Sequence, residues 1–129
     1  MKLRNLWKIY FFISLITLLV SPFYYVLEPS TFKIKDAIDY IVWSIGLLGL
    51  FGFAYQRRII NVLFWKVWFF ILVVWDTSFT INSFFEEPVK FDGLSIFIAA
   101  MIFIVLILPQ YFAIYLFGFK SAQIWNRNQ

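Results

Sequence analysis

The 129-residue chain contains neither cysteine nor histidine, and only 14% of its residues are charged. Without cysteine there is no disulfide, no thiolate nucleophile and no cysteine-ligated metal. Without histidine the chain lacks the side chain most often used as a general base and as a metal ligand. No nucleotide-binding loop or nucleophile elbow is present either. We therefore expect no enzymatic activity, no catalytic residue, no bound metal and no cofactor.

Apolar side chains dominate instead, making up 63% of the chain, and 24% of all residues are aromatic. An average soluble domain is about 45–50% apolar and about 25% charged. A chain this short could bury only part of so much apolar surface in water. The aromatic residues suffice for both interfacial belts of a membrane protein. The composition therefore predicts an integral membrane protein whose first partner is the lipid bilayer.

Four apolar runs cover residues 9–27, 37–55, 67–85 and 94–119. Each is long enough to cross about 30 Å of hydrocarbon at about 1.5 Å per helical residue. Helix-breaking or charged segments separate them. The first run is long for a signal peptide and lacks a small-residue cleavage site, so we expect it to remain as a span. The prediction is an all-α, four-transmembrane-helix bundle forming one domain over residues 1–129.

The charged residues divide between the two ends of these spans. By the positive-inside rule, the basic side is cytoplasmic. This predicts cytoplasmic N- and C-termini in a bacterial inner membrane, and it explains the net charge of +4 without a nucleic-acid partner. The basic side carries Lys2, Arg4, Lys8, Arg57, Arg58, Lys66, Lys120 and Arg127; the other carries Glu28, Asp36, Asp39, Glu86, Glu87 and Asp92 with Lys33, Lys35 and Lys90.

Three pairs of similar segments occur in the same order in the two halves of the chain. They are 7–12 (WKIYFF) and 65–70 (WKVWFF), 28–32 (EPSTF) and 87–91 (EPVKF), and 50–53 and 116–119 (both LFGF). They predict two parallel helical hairpins, 7–53 and 65–119, related by an axis along the membrane normal. Chance similarity in a Phe- and Trp-rich chain is the open alternative. The longer second half implies that the last helix tilts, or bends at Pro109.

Asp76 lies at the middle of the third apolar run. A carboxylate at the bilayer centre costs about 2.5–3.5 kcal/mol. Thr80, Ser83 and Glu87 follow at helical spacing, so all four residues share one face. Gln110 lies at a similar depth in the fourth run and is suited to donate a hydrogen bond to Asp76. Asp76, Thr80, Ser83 and Gln110 are therefore the candidate intramembrane polar site.

Three interpretations of Asp76 remain open. It is a transport or proton-relay group, as intramembrane acids commonly are. Alternatively, it joins helices or subunits through a polar contact. In the third, the span is shifted, and Asp76 lies near the outer interface.

Gly46, Gly49 and Gly52 recur every three residues along the second run. Small residues let membrane helices approach closely. We favour a role in helix packing over a role in ligand binding. The outer acidic residues lack the spacing of a metal-binding loop, so we interpret them as a solvated acidic face.

The function that best fits the sequence is a non-catalytic accessory, assembly or interaction protein of a membrane complex. Its partner would be another membrane protein or a second copy of itself. The alternative is a minimal proton- or cation-coupled transporter or channel that uses Asp76 and works as a homo-oligomer. An enzyme that uses carboxylates and tyrosines at the outer face is the least supported class.

Overall fold

The computed structural model describes residues 3–86 and 92–126, except for the side chains of residues 83, 84 and 86. Four long helices run through this part of the chain: α1 (Leu3–Leu27), α2 (Ile34–Tyr55), α3 (Val62–Glu86) and α4 (Gly93–Lys120). All four are long and apolar enough to cross a membrane, as the sequence predicts. A short helix α5 (Ala122–Trp125) follows α4.

The helices begin earlier than the apolar runs that predict them. The starts of α1 at Leu3 and of α3 at Val62 lie six and five residues before the predicted starts. Polar and basic residues such as Arg4, Lys8 and Lys66 are good helix formers, and their aliphatic stems cover apolar surface. The Lys8 ammonium lies 5.1 Å from the centre of the Tyr55 ring, and that of Lys66 lies 5.6 Å from the centre of the Phe119 ring. Hydropathy therefore marks the apolar part of each helix rather than its end.

The ends of α2 and the start of α4 are set by local hydrogen bonds. At the start of α2, the Asp36 carboxylate accepts a bond from the backbone N–H of Lys33 (2.8 Å). α2 ends at Tyr55, and the next residue, Gln56, adopts a left-handed conformation with φ of 52° and donates its backbone N–H to the Phe53 carbonyl (3.3 Å). At the start of α4, the Asp92 carboxylate accepts a bond from the backbone N–H of Ser95 (3.0 Å). Hydrogen bonds with Ser95 also hold the pKa of the exposed Asp92 carboxyl below its usual value.

α4 contains two π-helical segments, Phe103–Ile107 and Leu116–Lys120. The first ends two residues before Pro109, whose ring has no N–H and would crowd the carbonyl four residues earlier in a regular α-helix. A wider π turn relieves such crowding, and helices often kink at π segments. The structure thus departs from regular helix at the position where the sequence predicts a tilt or bend.

The order of packing across the bundle is α1, α2, α4 and α3. α2 and the Leu108–Lys120 part of α4 form the central pair, while α2 and α3 touch only slightly. One buried cluster surrounds Trp65 and Phe117, between α3 and α4, and another surrounds Leu50 and Ala113, between α2 and α4. The core therefore lies in the half of the bundle that holds the N-terminus of α1 and the C-terminus of α4. We call the end of the bundle in this half the terminal end. The opposite end, which carries the Pro29–Thr31 turn, is the far end.

The far half of α4 is not covered by the other helices. Every residue from 92 to 105 is exposed, whereas Gln110, Ala113, Ile114 and Phe117 further along α4 are buried. We call residues 93–105 the arm of α4. Its apolar side chains and those on the outward faces of the other helices form a surface compatible with an integral membrane protein.

Candidate functional site

Asp76 forms its hydrogen bond with Tyr111. The Tyr111 hydroxyl donates to Oδ2 of Asp76, which joins α3 to α4, and both residues are half-buried. The sequence prediction of Gln110 as the donor is wrong by one residue. Tyr111 lies on the side of α4 that faces α3, whereas Gln110 does not. Tyr111 has a hydroxyl and lies directly after Gln110, so its position in the sequence was a usable signal.

A second carboxyl group, that of Asp39 on α2, is bonded to the residue directly before Asp76 in α3. Nε1 of Trp75 donates a hydrogen bond to Oδ1 of Asp39 (3.0 Å). The sequence groups Asp39 with the solvated acids of the outer face. In the structure, however, the side chain of Asp39 is half-buried. The site is therefore a carboxyl pair held between α2, α3 and α4 by a tyrosine and a tryptophan.

Gln110 faces α2 and takes no part in the carboxyl pair. Its side chain is 2% exposed and packs directly on Gly46. Neither Oε1 nor Nε2 has a hydrogen-bond partner in the described part of the chain. A buried amide without partners costs roughly 1–3 kcal/mol, so Gln110 is a polar group in an unfavourable place.

The remaining polar residues predicted on α3 are not gathered at the site. Thr80 is exposed. The side chain of Ser83 and the whole of Glu87 lie outside the described residues. Among the described polar side chains of this face, only Asp76 belongs to the site.

A cleft of about 290 Å³ leads from the far end to Asp39. It lies between α1, α2 and the middle of α4. Its polar lining comes from hydroxyls of α1 at Ser14, Thr17 and Ser21, and from the carboxyls of Asp36 and Asp39 on α2. The polar access to the site thus follows α1 and α2 rather than α3, because the polar spacing on a single helix does not show which helices enclose a space.

On the terminal side of the site, the three predicted packing glycines lie at close helix contacts. Gly46 faces Gln110, Gly49 faces Trp65 and Gly52 faces Phe117. A Cβ added to Gly49 would lie 2.5 Å from Cζ3 of Trp65, and one added to Gly52 would lie 2.6 Å from Cζ of Phe117. Aromatic rings therefore fill the space between α2, α3 and α4 on the terminal side of the carboxyl pair.

The carboxyl pair lies nearer the far end than the terminal end. Asp39 follows Ile34, the first residue of α2, by five positions, or about 8 Å. Asp76 precedes Glu86, the last residue of α3, by ten positions, or about 15 Å. The predicted mid-span position of Asp76 depends on a span of 67–85, and the helix itself starts five residues earlier. This position agrees best with a polar site entered from the far end.

Tyr111 also lines a second, apolar groove of about 500 Å³. It is lined by Trp7 of α1, Phe69 of α3 and residues around Pro109 of α4. Tyr111 therefore separates a polar environment at Asp76 from an apolar one open to the side of the bundle.

Comparison with protein-family models, with curated proteins and with solved structures finds no match to this chain. In the described residues, no group of three or more acidic side chains is placed to hold a metal ion. The class of the protein is thus set by its own structure: an all-helical chain with four helices that are long and apolar enough to span a membrane.

Proposed function

We propose that this protein is a minimal proton- or cation-coupled membrane transporter that uses Asp76 together with Asp39 and performs no enzymatic catalysis. The observation that supports this function is the half-buried Asp39 carboxyl in the wall of the far-end cleft, with the Asp76 carboxyl, on the neighbouring turn of α3, bonded to Tyr111 of α4. On the other side of the pair, buried aromatic rings fill the bundle. A binding site open to one side and closed to the other is what alternating access requires of one state.

Charge is the physical reason why the pair binds a proton or a cation. A half-buried carboxylate in a weakly polar environment is costly, and a second one nearby adds repulsion, so binding a proton or cation lowers the free energy. The bonds from Tyr111 and Trp75 orient the two groups but bring no positive charge. The pair therefore binds one proton or one monovalent cation. The release of that ion depends on which side of the membrane the site is open to.

The opposite state needs a helix that can move, and α4 has the features for it. The Phe103–Ile107 π segment and Pro109 lie directly before the turn that carries Gln110 and Tyr111. Bending there shifts Tyr111 relative to Asp76. It also carries the Gln110 amide away from Gly46, where the amide has no hydrogen-bond partner among the described residues.

We also propose the orientation of the protein in the membrane, its internal repeat and its oligomeric state. The terminal end is cytoplasmic, in a bacterial inner membrane, because it carries the basic residues of the connection between α2 and α3. The two hairpins form a parallel repeat. In support, α1 packs on α2 as α3 packs on α4, with α2 and α4 in contact at the centre, and a lysine covers an aromatic ring in each hairpin. The protein works as a homo-oligomer.

The Asp76→Asn variant tests this function in proteoliposomes. The asparagine side chain still accepts a hydrogen bond from Tyr111, so we expect the variant to fold. We expect proton flux driven by a potassium diffusion potential to fall roughly 100-fold, as is usual when a positioned proton-transfer group is removed. The readout is an internal pH dye.

Asp92→Asn is the matched control, because it removes a carboxylate while the asparagine keeps the helix-capping hydrogen bond. We expect its flux to equal that of the wild type. Full activity of Asp76→Asn would show that the carboxyl group of this residue does not carry the proton or cation.

A second candidate function, the accessory or assembly protein, is favoured by the arm of α4. All of its residues are exposed, so a helix of a partner protein has room to pack there. Under this function we expect a photo-crosslinker at Ile98 on the arm to form an adduct with another membrane protein in cells. A crosslinker at Ile71, on the exposed face of α3, should not.

Adducts with lipid alone at both positions would contradict the accessory role. An adduct at Ile98 with a second copy of the chain would instead support the homo-oligomeric transporter.

A further inference from the structure

We infer that the far-end cleft binds an organic monovalent cation with an apolar body, and that such a cation is the substrate class of the transporter. This inference rests on the transport function proposed above and specifies its ligand. It follows from the lining, the size and the charge of the cleft.

The lining combines two carboxylates with aromatic and aliphatic walls. Asp36 and Asp39 supply the negative charge. Tyr40 and Trp43 lie among the lining residues, and the faces of such rings attract cations. Leu106 and Ile107 of α4 close the opposite wall with aliphatic groups. This is the pattern of a small-molecule site, mostly apolar with a few convergent polar groups.

The charge in the cleft excludes an anion and disfavours a neutral ligand. Asp36 is held by the backbone N–H of Lys33, and Asp39 by the indole N–H of Trp75. Both bonds fix the carboxylates without supplying a full positive charge. No lysine or arginine is among the described residues that line the cleft. Asp36 lies in the first turn of α2, where the positive end of the helix dipole offsets part of its charge. A ligand with one positive charge therefore balances most of the charge that remains.

The size and the ligand atoms disfavour a bare metal ion. A calcium ion takes about six to eight oxygen ligands, and magnesium needs near-octahedral geometry. Two carboxylates and the hydroxyls of one helix, spread along a cleft of about 290 Å³, do not form such a shell. The volume is near the lower end of the range for small-molecule sites, about 300–1,000 Å³. An ammonium group attached to one ring or a short chain fits these dimensions.

Binding of benzyltrimethylammonium to the purified full-length chain in detergent tests the inference. Isothermal titration should detect saturable binding at one site per chain. The uncharged isostere neopentylbenzene, which has the same shape, should bind at least about tenfold more weakly, because it lacks the charge that the carboxylates attract. Equal binding of the two compounds would overturn the inference.

Two variants locate the binding. Asp39→Asn keeps an acceptor for Trp75 but removes the charge, and we expect an affinity loss of roughly 30-fold. Ser21→Leu fills the cleft without changing any charge, so it should also abolish binding. Asp92→Asn, outside the cleft, should bind as the wild type does. Unchanged binding in both cleft variants would show that the cation binds elsewhere.

The outcomes for ligand and function are separable. If benzyltrimethylammonium fails to bind while Asp76→Asn still abolishes proton flux, the ligand class is wrong and the transporter stands. If the cation binds through Asp39 while Asp76→Asn retains full flux, the cleft is a binding site but the cation is not the substrate of an Asp76-coupled transporter, which overturns the inference in its present form.

Discussion

Gly49→Leu is expected to prevent the bundle from assembling. Gly49 is buried in α2 and faces the six-membered ring of Trp65, which is itself 0% exposed. A Cβ at Gly49 would lie 2.5 Å, 2.9 Å and 3.0 Å from three carbon atoms of that ring. The ring cannot withdraw easily, because its Nε1 donates a hydrogen bond to the Ile59 carbonyl (2.6 Å) and its other side packs on Phe117.

The expected loss of stability in Gly49→Leu exceeds the loss that ordinary overpacking of a core causes. Extra methylenes in a well-packed core cost about 1–3 kcal/mol. Leucine adds four carbon atoms where the first is already too close, so α2 must separate from α3 and α4. We expect loss of the monodisperse peak in fluorescence-detected size-exclusion chromatography, together with loss of a cooperative thermal transition.

Gly93→Leu is the control with the same change in side chain. A Cβ at Gly93 meets no atom within 4 Å, so this variant should keep the wild-type elution profile and melting temperature. If Gly49→Leu also kept them, the contact between α2 and Trp65 would not hold the bundle together.

Gln110→Leu is expected to stabilise the protein. The Gln110 amide is fully buried with neither of its polar atoms bonded in the described part of the chain. In separated helices the amide can find water or headgroup partners, but in the assembled bundle it has none among the described residues. Removing it should therefore raise the free energy of unfolding by about 1–3 kcal/mol. Leucine has nearly the same volume and should leave the contact with Gly46 intact.

The melting temperature in detergent measures this effect, with Gln123→Leu as control. Gln123 is exposed in α5, so its replacement should leave the melting temperature unchanged. Under the transport function, Gln110→Leu should also slow proton flux, because the amide is needed when α4 moves. A destabilised Gln110→Leu would instead mean that Gln110 forms hydrogen bonds in the assembled protein.

The sequence predicts the helices of this protein well and the composition of its site only in part. The four helices follow from the lengths of the apolar runs. Asp76 was found because a carboxyl group inside an apolar run is unusual. The sequence does not single out Tyr111 or Asp39, because a tyrosine in an aromatic-rich helix and an acid near a helix end are both ordinary in a membrane protein. Only their contacts with Asp76 and Trp75 make them part of the site.

The class of the fold follows from hydropathy, because hydropathy is summed along the chain and needs no knowledge of distant residues. The sequence also indicated that the Gly46–Gly49–Gly52 face is a close contact. The folded structure was needed to show which side chains fill that contact, which helices enclose the cleft and which residues bond to the two carboxyl groups. Helices in lipid are apolar on every side, so hydrophobic periodicity does not mark the face that packs. The choice of neighbours then rests on shape and hydrogen bonds between residues far apart in the chain.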